Sequence, residues 1–143
     1  FSGCSNPFRY NYPHNWIYTL QRLTGAVVFA FLIYHLATTV VPKILYGNTG
    51  FEAAPFLISV MNQEFKSWDG RIIYVIGIVS ATFHFAGGLW GFCISWGILI
   101  GRRAQTNAGY IFALVGLVLT VMGLTTVVEF SLHPIGAQAT EPG

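Results

Sequence analysis

Two histidines, His35 in AFLIYHLATT and His84 in SATFHFAGG, lie inside stretches of the chain that carry no charge. An imidazole in such a place can ligate a haem iron, relay a proton, contact a quinone, or donate to a carbonyl or hydroxyl on a neighbouring helix. The neighbours of His84 bear on the choice. On a helix its own stripe holds the positions three, four and seven residues away: Gly77, Ser80, Ala81, Gly87, Gly88 and Gly91. All are small. Small-xxx-small patterns such as Gly87-xxx-Gly91 and Gly97-xxx-Gly101 also let helices approach closely. Close packing alone does not call for an imidazole in the groove, whereas a flat macrocycle needs both a ligating nitrogen and a face without side chains. His35 has Phe31 and Leu32 one turn back and Thr38 and Thr39 ahead, a less open setting.

The elements that must hold these groups are membrane spans. The 143 residues are 54% hydrophobic and 8% charged, with a mean hydropathy of +0.59, against about 25% charged residues in a soluble domain. Uncharged runs cover 23–42, 72–101 and 104–128. Each is long enough for the ~20 residues that cross ~30 Å of hydrocarbon as a helix. The expected fold is an all-α integral membrane protein with three transmembrane helices, 16–41, 71–101 and 108–130. An inner loop, 1–15, precedes them, and a tail, 131–143, follows on the outer side. Pro42 is expected to stop the first span. An outer connection, 42–70, contains FEAAPFLISVMNQEF, a candidate for a short interfacial helix.

Arg9, Arg22, Arg102 and Arg103 fall on one side of this arrangement, and Lys43, Lys66 and Arg71 on the other. The positive-inside tendency then places the N-terminus in the cytoplasm and the C-terminus outside. The net charge of +2 forms no basic stripe, so no nucleic-acid partner is expected. Cys4 and Cys93 are too differently placed to pair, and no CxxC or CxxCH motif is present. His14 and His133 lie at or beyond span ends.

Depth separates the two span histidines. His35 is about 7 residues, or ~10 Å, from the outer end of its span; His84 is about 13 residues, or ~20 Å, from the outer start of its own. One iron with two axial imidazoles needs both at one level. These two are therefore expected to serve two different haems, each completed by a ligand from outside this chain. The third span has no histidine, and its Met122 is a weak candidate ligand.

The stretches NWIYTLQRLTGAVVFAFLIYHLATT and SATFHFAGGLWGFCISWGILIGRRAQ resemble the di-haem cytochrome b membrane anchor of bacterial succinate:quinone oxidoreductases, the succinate dehydrogenases and fumarate reductases. The resemblance runs from about Asn15 through the third span and corresponds to helices three to five of a five-helix di-haem bundle. It implies that His35 and His84 are axial ligands of two different haem b irons, with the opposite histidines on two helices absent from this sequence. It implies electron transfer from an iron–sulfur subunit through the two haems to quinone, menaquinone being expected. Succinate would be handled by a separate flavoprotein subunit, so this chain would be an electron-transfer subunit rather than the catalytic one. The bacterial cytoplasmic membrane is the implied location. A chain beginning at Phe1 is expected either to continue a longer subunit or to meet a separate chain bearing the first two helices.

Gly87 and Gly88 are the expected haem-facing glycines. Arg22 is expected to meet a haem propionate or quinone, or else to reach the lipid headgroups. Trp90 and Trp96 are haem-edge or packing residues, and Glu129 is a proton relay or a plain surface carboxylate. Two other classes stay open: a haem-free anchor whose histidines bond across helices, and a transporter component using them as a proton relay.

Overall fold

The computed structural model describes residues 13–45 and 53–133. Among these, the regular structure is entirely helical: α1 (Pro13–His35), a π-helical stretch (Leu36–Val40), α2 (Val41–Leu45), α3 (Ala53–Lys66), α4 (Trp68–Ser95) and α5 (Arg102–Leu132). Three stretches are long and apolar enough to cross a bilayer: Trp16–Leu45, Trp68–Ser95 and Arg102–Leu132. The protein is thus a multi-pass membrane protein. The exposed Leu23, Phe29, Ile33, Leu114, Leu117 and Val121 are what lipid-facing helix sides require. Much of the inner loop, residues 46–52 and the tail from 134 onward lie outside the described residues.

The span boundaries differ from expectation, α4 starting at Trp68 and α5 covering Arg102–Leu132, and three further differences have a local cause. Pro13 opens α1, a position where its missing N–H costs nothing. The first span does not stop at Pro42. An α-helical turn would bring the proline ring against the carbonyl four residues back and forfeit a hydrogen bond. The preceding turn instead widens to π geometry, with the Val41 N–H bonded to the Leu36 carbonyl, and helix resumes to Leu45. α4 ends at Ser95, not near residue 101. Gly97 adopts φ 69°, its N–H bonds the Ile94 carbonyl at 3.1 Å, and the Ile98 N–H bonds the Cys93 carbonyl at 2.9 Å. This is a Schellman closure on a left-handed glycine. Gly97 and Gly101 thus serve a turn, and a Cβ on either would meet nothing within 4 Å.

The chain forms two compact units, one within Phe1–Val28 and Val79–Thr120, the other within Phe29–Ile78 and Val121–Gly143. In the first, α1 and α4 pair at Gly25 with His84 and at Gln21 with Gly87. α4 and α5 pair at Ala86 with Gly116 and through a 2.7 Å bond between the Thr82 and Thr120 hydroxyls. The partner number falls as the residue number rises, so both pairs run antiparallel.

In the second unit, Phe65, Tyr74 and Val127 form a buried cluster with Phe31, Tyr34, Met61, Ile78 and Phe130 around it. The turn from α3 to α4 is a single residue, Ser67, whose hydroxyl accepts the Asp69 N–H at 3.3 Å. Asp69 itself suits the positive end of the α4 dipole. Arg71 donates from Nε to the Phe65 carbonyl at 2.5 Å and lies over the Trp68 ring, so it caps α3. Gly70 makes this turn possible, because a Cβ there would sit 2.1 Å from the Glu64 carbonyl oxygen. Backbone cannot yield as a side-chain tip does. Gly70→Ala should cost about 1–3 kcal/mol, read as an earlier unfolding midpoint of the detergent-solubilised protein.

Candidate functional site

His84 belongs to the first unit and is half-buried against α1. Its Nδ1 lies 3.1 Å from the Gln21 carbonyl oxygen and 3.5 Å from the Thr24 hydroxyl. A carbonyl only accepts, so Nδ1 carries the proton and Nε2 keeps its lone pair. The Thr24 hydroxyl donates to the Leu20 carbonyl at 2.8 Å, which leaves its oxygen as an acceptor toward the ring. Gln21 returns the contact: its Nε2 donates to the His84 carbonyl at 2.8 Å. That bond fixes the amide orientation and turns Oε1 the other way, where it is buried without a hydrogen-bond partner. The imidazole presents Cε1 to Gly25, where a Cβ would come within 2.9 Å of it.

His35 belongs to the second unit and ends α1. Its Nδ1 is 3.0 Å from the Tyr74 hydroxyl, and its ring stacks on Phe31 at 5.8 Å between centroids. The π-helical stretch begins immediately after it, and such irregular turns concentrate at functional positions. The Thr38 and Thr39 hydroxyls both donate to the His35 carbonyl. Tyr74 also meets Phe31, Tyr34 and Phe65 edge-on. Tyr34 in turn donates to the Glu64 carboxylate of α3, so the phenol that meets this histidine has a second phenol, held by a carboxylate, at its edge.

The expected glycines take a definite place. A Cβ on Gly87 would meet Gln21 Oε1 at 2.6 Å, and one on Gly88 would lie 3.5 Å from Gln21 Nε2. Gly77 packs under Phe31, while Gly91 faces open space. Gly77, Gly87 and Gly88, three of the six small positions, thus receive side chains of α1. Arg22 is exposed, with its guanidinium over the Tyr18 ring at 5.7 Å. Trp90 donates to the Gln105 carbonyl at 2.8 Å and so ties α4 to α5. Trp96 and Met122 are exposed. Glu129 pairs with His133 one turn on, at 3.4 Å, both well exposed. The side chain of His14 lies outside the described residues. Among the described residues, no three His, Cys, Asp or Glu side chains converge as a metal site.

The first unit also carries an apolar groove of about 640 Å³ along α4 and α5, lined by Phe83, Ala86, Trp90, Gly109, Ala113 and Leu117 among others. His84 does not line it.

The polar neighbours of both histidines escaped sequence reasoning as site residues. Gln21, Thr24 and Gly25 carry a signal: they occupy one stripe at i, i+3 and i+4. Tyr74 sits ten residues before His84, three helical steps along the stripe through Gly77 and Ala81. Glu64 carries none, because only the fold of α3 brings it to Tyr34.

The chain is similar to the succinate dehydrogenase cytochrome b558 subunit of Bacillus subtilis (strain 168), at 30% identity over 130 residues. The match covers 91% of this chain, which spans 61% of the length of that relative. No protein-family model matches the chain, and no solved structure matches it.

Proposed function

We propose that this chain is the part of a succinate:quinone oxidoreductase membrane anchor that corresponds to helices three to five of the di-haem cytochrome b subunit. The observation that carries the reading is the 130-residue similarity to a succinate dehydrogenase cytochrome b558 subunit. In this reading His35 and His84 are axial ligands of two different haem b irons, and helices outside the described residues supply the opposite ligands. When bound, haem supplies one-electron transfer between an iron–sulfur partner and membrane quinone, menaquinone in the expected case.

The donor chemistry of both sites fits that group. A ligating imidazole needs a deprotonated nitrogen on one side and a hydrogen-bonded N–H on the other, which fixes its tautomer. His84 meets this through the Gln21 carbonyl. His35 meets it when Nδ1 donates to the Tyr74 hydroxyl oxygen. The chain's own work is to hold these nitrogens, to exclude water with the aromatic cluster around Tyr74, and to anchor the assembly in lipid. Arg22, exposed on the first turns of α1, is a cation for a propionate or for headgroup phosphates. Flavoprotein and iron–sulfur subunits are the proposed partners, on the bacterial cytoplasmic membrane, with the N-terminal end of this segment inside and its C-terminal end outside.

A haem-free anchor is favoured by one specific observation: Gln21 and Phe31 already occupy Gly87 and Gly77, so close packing accounts for those small residues. Haem quantification of the full protein, purified from its membrane with the subunits that accompany it, decides between the two. The di-haem reading expects two b-type haems per copy. A preparation that oxidises succinate with no b-type haem would establish the haem-free anchor.

A further inference from the structure

Gln21 contacts His84 twice, and the two contacts have different jobs. Its backbone carbonyl takes the Nδ1 proton at 3.1 Å, while its side-chain amide reaches back to the His84 carbonyl at 2.8 Å. The second bond sets the height of α1 against α4, and the first depends on that height. Displacing α1 by one residue, about 1.5 Å along the axis, would break both. The amide reaches this position only because Gly87 leaves space, for a Cβ there would stand 2.6 Å from Oε1. The ring reaches its position only because Gly25 does the same, 2.9 Å from Cε1. Two glycines, one on each helix, thus clear the paths of two side chains that lock each other.

We propose that Gln21, Gly25 and Gly87 are positioning residues for His84, holding its imidazole with the proton on Nδ1 and presenting Nε2 as the ligating nitrogen. The proposal rests on the reading of His84 as an axial ligand, and it assigns to the glycine stripe a role distinct from contact with the macrocycle. Gly87 seats Gln21, and Gln21 aims the histidine.

The two glycine positions differ in what a methyl would do. At Gly25 the nearest atoms belong to the end of the imidazole, so Gly25→Ala shifts the ring by a few tenths of an ångström without disturbing backbone. Gln21→Met keeps length and bulk but removes the donor to the His84 carbonyl. The acceptor of the Nδ1 proton is backbone and survives that substitution, so its effect on the ring comes only through the height of α1 against α4.

The test uses the full protein purified from its membrane with its accompanying subunits, in wild-type, Gln21→Met and Gly25→Ala forms. Low-temperature electron paramagnetic resonance and a redox titration report each haem separately. The expected result is a shifted low-spin signal and midpoint potential for one haem in both variants, with weaker retention of that haem in Gln21→Met. The other haem stays unchanged, since His35 has its own partners in the second unit. Wild-type signals for both haems in both variants would overturn the proposal, as would equal damage to both, which marks a merely structural role.

A wild-type protein without haem would defeat the axial-ligand reading instead. In that protein, ¹⁵N NMR of labelled histidine still reads the positioning. A proton on His84 Nδ1 that redistributes in Gln21→Met supports it, and a proton on Nε2 in the wild type overturns it.

Discussion

His84→Ala is expected to remove one of two b-type haems from the assembled protein, while the other keeps its spectrum and potential. Haem per copy should fall from two to one. The substitution takes away the nitrogen proposed as ligand and the Nδ1 bond to the Gln21 carbonyl, the latter a loss of about 0.5–1.5 kcal/mol on its own. It spares the backbone oxygen of residue 84, so the Gln21 amide keeps its partner and the α1–α4 pairing has a reason to survive. α4 itself loses nothing, because alanine is the best helix former. The haem deficit should therefore come without collapse of the anchor. Difference spectra and haem quantification of the purified assembly check this, and retention of both haems would remove His84 from the ligand set.

His35→Ala is expected to remove the other haem. The imidazole lies against Phe31 and beside the Tyr74 hydroxyl, and both contacts vanish with it. The π-helical stretch should persist, since the Thr38 and Thr39 hydroxyls bind the residue 35 carbonyl rather than its side chain. Tyr74→Phe makes the graded comparison. It leaves the ring among Phe31, Tyr34 and Phe65 and deletes only the hydroxyl. The haem should then remain with a shifted potential, because the partner of a ligating histidine tunes its basicity. Loss of the same haem in His35→Ala and His84→Ala would mean that both histidines serve one iron, contrary to the two-haem arrangement.

The three spans were legible because lipid imposes one rule on every residue: the long uncharged runs from Arg22 to Lys43, from Arg71 to Arg102 and from Arg103 to Glu129 suit helices that cross. Their ends were less legible. Pro42 reads as a stop signal until a wider turn before it removes the clash, and nothing in LATTV announces that turn. Gly97 lies within an apolar run whose composition continues smoothly to residue 101, so hydropathy cannot see the left-handed closure that ends α4 at Ser95.

The two histidines stood out because an ionisable group is rare in such segments. Their partners did not. The Gln21 amide lies between α1 and α4, which its place near the start of the first span does not announce. Gly87 and Gly88 read as space for a cofactor, and that space holds the Gln21 amide. Spacing can show that a face is small, but it cannot show which neighbour uses the room. Arg71 illustrates the same limit, being at once a charge at a span end and the residue that closes α3.

The central claim is that His35 and His84 ligate two separate haems, each completed by an imidazole from outside this chain. Electron paramagnetic resonance of the oxidised full assembly, paired with the same spectra of the two alanine variants, tests it most directly. The account predicts two low-spin ferric signals of bis-imidazole type in the wild type, one abolished by His84→Ala and the other by His35→Ala. A single low-spin signal lost in both variants, or two signals that survive both, would contradict it.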